Sequence, residues 1–130
     1  AALSDRERAT QILSSLRDEG VKIALDDFGT GYSSLGILQE MPLDEMKVDR
    51  SFVTDIADFG RKQAVLQAMI EVGHRLGLTV TIEGVEHGAS VEWLAEHGCD
   101  VVQGYFFSRP LDADAARTWL TRPVTSVEPA

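Results

Sequence analysis

The feature that most constrains this fold is an alternation of two kinds of segment. Short apolar segments typical of strands lie at about 21–27, 45–49, 78–83 and 100–105, and a segment with helical spacing follows each of them. Another helical segment, between Ser4 and Gly20, precedes the first strand. Such alternation predicts an α/β fold with parallel strands, here four βα units preceded by one helix. Four units are half of a (β/α)8 barrel, which typically needs about 250 residues.

Length and composition narrow the class of protein further. The chain has 130 residues, 44% of them hydrophobic and 25% charged, which is typical of one globular domain. Its formal net charge of −9 argues against DNA as a partner, and no apolar run is long enough to be a membrane segment. The single cysteine, Cys99, suits a reducing compartment, so we expect a cytoplasmic location, with any membrane tether in other domains. Because the chain begins at Ala1 without a methionine, we expect it to be a piece of a longer protein.

Two adjacent carboxylates, Asp26 and Asp27, close the first predicted strand and precede a glycine-containing segment. If the strand ends there, both side chains can turn toward one point. Acidic groups at the end of a buried strand are costly unless something neutralises them, and a divalent cation commonly does so. The same pair could instead form a turn or cap a helix, because Asp and Gly are common in turns.

Polar residues also stand near the carboxyl ends of the other three predicted strands. Lys47 alternates with apolar neighbours, and so do Glu83 and Gln103. In parallel α/β folds this end of the sheet binds ligands, so the alternation predicts a site there.

The chemistry of this set favours a phosphate ester. Asp26, Asp27, Glu83 and Glu86 offer hard oxygen ligands suited to Mg²⁺ or Mn²⁺. Two such ions bridged by a carboxylate could clamp the attacking and leaving oxygens of a phosphodiester. Lys47 could orient a water molecule or hold a phosphate oxygen, and Gln103 could hydrogen-bond a ligand.

Four segments of the chain carry a family resemblance. They are DDFGTGYSSL at 26–35, KVDRSF at 47–52, EGVE at 83–86 and QGYFFSRPL at 103–111. In this order and spacing they closely resemble the EAL-domain family of cyclic di-GMP phosphodiesterases, over about residues 5–120. The resemblance implies a TIM-like barrel that hydrolyses one phosphodiester bond of cyclic di-GMP to linear pGpG, with two Mg²⁺ or Mn²⁺ ions.

The resemblance also implies roles for individual residues. Asp26 and Asp27 would be metal ligands, with Asp26 bridging the two ions. Lys47 would contact the attacking water or the phosphate. Glu83 would be a metal ligand or the general base, Glu86 a supporting carboxylate, and Gln103 a polar contact near the water. The residues Phe28, Gly29, Thr30, Gly31, Tyr32 and Ser33 would form a substrate-binding and regulatory loop that couples a dimer interface to the site.

The chain departs from the family pattern in one large respect. The Glu-Ala-Leu motif and the next metal-binding residues of the family are absent, so residues 1–122 correspond to the C-terminal half of the domain, and 123–130 to a disordered tail. We expect half a barrel to expose strand edges and to pair with the missing N-terminal half or with a second copy. Alone it should be inactive. The alternative is a degenerate EAL domain that binds cyclic di-GMP or a protein partner as a regulatory module.

Overall fold

A computed structural model describes residues 2–30, 35–58 and 60–122. The helices are α1 (Asp5–Asp18), α2 (Leu35–Glu40), α3 (Gly60–Arg75), α4 (Gly88–Glu96) and α5 (Ala113–Thr121), and the strands are β1 (Ala24–Phe28), β2 (Glu45–Val48), β3 (Thr79–Ile82) and β4 (Val101–Val102). The four strands form one parallel sheet in the order β1-β2-β3-β4. The predicted α/β fold with four βα units and a preceding helix is therefore confirmed.

The core lies between one face of the sheet and the helices α3 and α4. Met46 and Val48 of β2 pair in register with Val80 and Ile82 of β3, and all four side chains are fully buried. They pack in one hydrophobic cluster with apolar residues of the helices, among them Leu66, Ile70, Val91 and Leu94. The alternation of apolar and polar residues along β2 and β3 thus directs one side of the sheet into the core, as the sequence predicts.

The connection between β2 and α3 contributes more to the core than its composition suggests. The sequence predicts a loop or irregular helix at 51–60, and the structure has two 3-10 turns there, Arg50–Phe52 and Ile56–Asp58. Val53 and Ile56 are buried in the main cluster. The segment therefore fixes the start of α3 against the sheet.

The last strand is shorter than predicted. The sequence predicts a strand at about 100–105, whereas β4 contains only Val101 and Val102. The amide of Gln103 still donates to the carbonyl of Ile82 at 2.9 Å, but the next residue, Gly104, lies against the backbone of Val85. A Cβ at Gly104 would overlap the Val85 carbonyl oxygen, so this close approach requires glycine and turns the chain away from the sheet.

In the described part of the chain, no helix combines the length and apolar character needed to cross a bilayer. The predicted tail at 123–130 lies outside the described residues.

Candidate metal and phosphodiester site

The two aspartates lie in a bulge within β1. Leu25 pairs with Met46, and Phe28 pairs with Val48, so three steps along β1 match two along β2. The extra residue leaves Leu25 and Phe28 both packed on the core side. The intervening Asp26 and Asp27 remain exposed. The expectation that the strand ends at the aspartates is wrong: β1 continues to Phe28, and the bulge brings the two carboxylates together.

Local hydrogen bonds hold this bulge in place. Asp27 has a φ of 51°, which is uncommon for a residue other than glycine. Its amide donates to Oδ1 of Asp26 at 2.8 Å, and its carbonyl accepts the hydroxyl of Thr30 at 2.8 Å. Gly29 follows with a φ of 99°, and its Cα lies so close to the ring of Phe52 that a Cβ would overlap it. Glycine at position 29 is therefore needed to close this turn.

Three carboxylates converge at the carboxyl end of the sheet. Asp26, Asp27 and Glu83 each offer an oxygen within 4.8 Å of the other two. Glu83 follows β3 directly, and its amide donates to the carbonyl of Val48 at 3.1 Å. The sequence prediction that residues distant in the chain meet here agrees with this geometry.

Electrostatics within the cluster raise the pKa of Glu83. Partial burial is the largest cause, followed by the negative charge of Asp26. Lys47 opposes the shift, while Asp27 and a hydrogen bond with Asp26 add to it. Three crowded carboxylate groups with one nearby ammonium group favour a bound cation, and their hard oxygens fit Mg²⁺ or Mn²⁺.

A cavity of about 490 Å³ lies beside this cluster. Glu83, Glu86 and Gln103 all line it. Glu86 is not a member of the group formed by Asp26, Asp27 and Glu83, so its role as a metal ligand stays a prediction. Gln103 follows β4, and its carbonyl accepts the amide of Val85 at 3.0 Å, which ties the two lining segments together.

Other residues of the cavity received no role from the sequence. Arg50, Tyr105, Ser108, Arg109 and Pro110 line it. All five lie within the segments 47–52 and 103–111, so the signal was present in the motifs. Sequence spacing alone could not show which members of those segments face the cavity.

The predicted regulatory loop is described only in part. Phe28 is a core residue at the end of β1, with 6% of its surface exposed, while Gly29 and Thr30 are exposed. Gly31, Tyr32 and Ser33 lie outside the described residues. The function assigned to this loop stays a prediction.

Comparison with known proteins identifies the family. The profile of the EAL domain matches residues 1–110. The chain belongs to the EAL domain family. The EAL domain of Mycobacterium smegmatis DcpA superposes with a TM-score of 0.85 at 36% identity, covering 91% of this chain and 53% of that one.

Two further relatives are described by the dinucleotide that they bind or cleave. Cyclic di-GMP phosphodiesterase NbdA of Pseudomonas aeruginosa is 44% identical over 92% of this EAL chain and 15% of its own length. Klebsiella pneumoniae BlrP1, in a calcium and cyclic di-GMP complex, is 43% identical with a TM-score of 0.71, covering 77% of this chain and 25% of that one. This EAL chain thus spans about a sixth of the length of the first curated relatives and about half of the DcpA domain.

Proposed function

We propose that this chain supplies half of the active site of a cyclic di-GMP phosphodiesterase, which hydrolyses one phosphodiester bond to give pGpG. The observation that carries the proposal is the convergence of Asp26, Asp27 and Glu83 beside a cavity of about 490 Å³. Two related proteins, one named as such a phosphodiesterase and one complexed with this dinucleotide and calcium, support the choice of substrate. The lone cysteine, partly buried and unpaired, is consistent with action in the cytoplasm.

Asp26, Asp27 and Glu83 would hold Mg²⁺ or Mn²⁺, with two ions in the complete domain and Glu86 as a further candidate ligand. Divalent cations bound there would neutralise phosphate charge and lower the pKa of water. Glu83 would be either a ligand to these cations or the general base that accepts the proton of the attacking water. Lys47 orients this water or holds a phosphate oxygen, and Gln103 hydrogen-bonds nearby.

The proposed hydrolysis is a single displacement at phosphorus. The oxygen of water bonds to phosphorus, the bond from phosphorus to the 3′ oxygen breaks, and the general base takes the proton of the water. The 3′ oxygen then takes a proton from solvent water and becomes a hydroxyl. The phosphate remains on the 5′ oxygen, as the product pGpG requires.

The chain alone should bind the metal ions only weakly. Asp26 and Asp27 are exposed, and β1 and β4 are open edges of the sheet. We infer that the chain pairs either with the other half of an EAL barrel or with a second copy. Either partner would cover the acidic face and could contribute further ligands.

The test is hydrolysis by the chain alone and by the chain refolded with the N-terminal barrel half of an active relative. With Mn²⁺, we expect little or no pGpG from the chain alone and clear formation of pGpG by the complemented pair, measured by chromatography. Glu83→Ala should abolish turnover, whereas Glu92→Ala, which removes an exposed carboxylate of α4, should not.

Two outcomes would contradict this account. Hydrolysis by the chain alone would show that half of the site suffices. A complemented pair that binds cyclic di-GMP without cleaving it would favour the regulatory alternative over the phosphodiesterase.

A further inference from the structure

Another cavity lies at the amino end of the sheet, where the last turns of α3 and α4 meet. It has a volume of about 540 Å³, and its lining includes two of the three histidines of the chain, His74 and His97. His74 lies in the last turn of α3, and His97 caps the C-terminus of α4. A Cβ added at Gly98 would lie 3.7 Å from Cε1 of His74, so the two helix ends are close together. Because the C-terminal end of a helix carries a partial negative charge, this arrangement favours a cation.

The ring of His97 is held in one orientation. It stacks on Trp93, with ring centroids 3.9 Å apart and an angle of 16° between the planes. Its Nδ1 lies 2.7 Å from the carbonyl oxygen of Trp93. Because a carbonyl oxygen can only accept a hydrogen bond, Nδ1 of the neutral ring carries the proton and Nε2 keeps a lone pair. His97 thus offers a nitrogen ligand on a ring that packing has already fixed.

A carboxylate orients His74 in a similar way. Its Nε2 lies 2.7 Å from Oδ2 of Asp100, an oxygen that also accepts the amide of Val80 at 2.8 Å. An ionised carboxylate only accepts hydrogen bonds, so Nε2 of the neutral ring carries the proton and Nδ1 keeps the lone pair. Histidines that bind metals typically donate their other N–H to a carboxylate or to a backbone carbonyl. The two histidines of this cavity show one arrangement each.

We propose that His74 and His97 bind a divalent transition-metal ion such as Zn²⁺ or Ni²⁺, through Nδ1 and Nε2 respectively. Imidazole nitrogens suit these ions, whereas the carboxylate cluster at the other end of the sheet suits Mg²⁺ or Mn²⁺. Water molecules would complete the coordination, and Glu71, which also lines the cavity, is a candidate third ligand. Its ion pair with Arg75 is largely exposed and therefore opposes such a rearrangement only weakly. The ion would link the ends of two helices, so this site goes beyond the proposed function and does not rest on it.

The test is a titration of substoichiometric Ni²⁺ into the ¹⁵N-labelled 130-residue chain in excess Mg²⁺, which occupies the carboxylate cluster. Paramagnetic Ni²⁺ broadens the NMR signals of nearby amides, and we expect broadening around 71–75 and 96–99. A cation that binds only the folded chain also stabilises it. Zn²⁺ should therefore raise the urea concentration at the midpoint of unfolding.

Variants then assign the effect to the two rings. His97→Phe keeps a ring on Trp93 but removes the nitrogen ligand, and His74→Gln keeps a hydrogen-bond donor for Asp100. Loss of a group that merely orients a metal ligand commonly weakens metal binding about 10–100-fold. Loss of either ligand should therefore weaken Ni²⁺ binding at least about tenfold, as measured by calorimetry. His87→Gln is the matched control and should bind Ni²⁺ as the wild type does, because this exposed histidine lies at the opposite end of α4.

Broadening confined to 26–30 and 83–86, or spread evenly over the chain, would overturn the inference. So would a His97→Phe variant that binds Ni²⁺ as tightly as the wild type while its NMR spectrum shows an intact fold. These results are separable from failure of the proposed function. If the complemented pair makes pGpG but Ni²⁺ does not bind at the two histidines, only this site is wrong. If Ni²⁺ binds as described and no pGpG forms, only the phosphodiesterase is wrong.

Discussion

The bulge at Asp26 and Asp27 determines how carboxylates meet in this protein. In a regular strand, two neighbouring side chains point to opposite faces, and one of the pair would face the core. The extra residue in β1 instead lets Phe28 reach the core, while both aspartates stay on the open side. The cost is the positive φ of Asp27, an unfavourable backbone conformation held by surrounding hydrogen bonds.

Asp26→Asn should lower the pKa of Glu83 toward its ordinary value. The substitution removes the negative charge that is the second largest cause of the shift, while the burial of Glu83 remains. The pKa should therefore fall only in part. Carboxyl carbon NMR titration of Glu83 measures it in both proteins, and an unchanged pKa would show that Asp26 does not contribute to the shift.

The three acids lie close together, as the sequence predicted, but for a different structural reason. Asp26, Asp27 and Glu83 were predicted to converge because a strand ends there, whereas the structure achieves it with a bulge. A bulge depends on the register between β1 and β2, which are distant in sequence, so local composition could not reveal it.

At the scale of elements, two aspartates repeat one arrangement at the amino end of the sheet. Asp44, just before β2, accepts the amide of Ile23 at 2.8 Å and pairs with Arg17 at 3.0 Å. Asp100, just before β4, accepts the amide of Val80 at 2.8 Å and contacts His74 at 2.7 Å. Each aspartate thus links the start of its own strand to the adjacent strand segment and to the helix before that segment. These contacts stabilise the amino end of the sheet.

The Asp100 contact should make stability depend on pH. Burial alone raises the pKa of Asp100, but the Val80 amide and His74 outweigh it, so the net pKa is lowered. A lowered pKa means that ionised Asp100 stabilises the fold above the carboxyl pKa of the unfolded chain, about 3.9, and that this contribution is lost as the pH falls through the lowered value.

We therefore expect Asp100→Asn to be less stable than the wild type at neutral pH, with the difference shrinking in acid. Urea unfolding at neutral pH and at about pH 3 measures it. Asp114→Asn, at a carboxylate that is 93% exposed, is the matched control and should show little difference at either pH. A constant difference between Asp100→Asn and the wild type would contradict the assignment.

Adjacent positions on α3 offer a sharp test of the core. Leu66 is fully buried, whereas 46% of Val65 is exposed. Leu66→Ala should lower the free energy of unfolding by about 2–5 kcal/mol, because it leaves a cavity between α3 and the sheet. Val65→Ala should lower it by less than about 1 kcal/mol in the same urea experiment. Equal losses would mean that α3 does not pack as described.

Elements with strong periodicity were predictable from sequence, and those shaped by contacts were not. A helical segment was predicted between the second and third strands, and α3 lies there at Gly60–Arg75, because its apolar spacing is regular. Strand β4 was predicted too long, because the contact of Gly104 with Val85 that ends it joins segments far apart in the chain.

At the scale of the whole molecule, this chain spans about half of the length of a related EAL domain. One face of the sheet is covered by α3 and α4, while the opposite face carries charged residues such as Glu45 and Lys47. The resemblance in the four motifs predicted the family, and the match over residues 1–110 confirmed it. The sequence does not distinguish the two partners proposed for the open face, because the other half of a barrel and a second copy of the chain would both cover the same strand edges.

The central claim is that Asp26, Asp27 and Glu83 form one divalent cation site. Its most direct test is the broadening of NMR signals of the 130-residue chain by substoichiometric Mn²⁺. We expect broadening confined to the amides around 26–30 and 83–86, and its loss in Asp26→Asn. Broadening spread evenly over the 21 acidic residues, or unchanged in that variant, would contradict it.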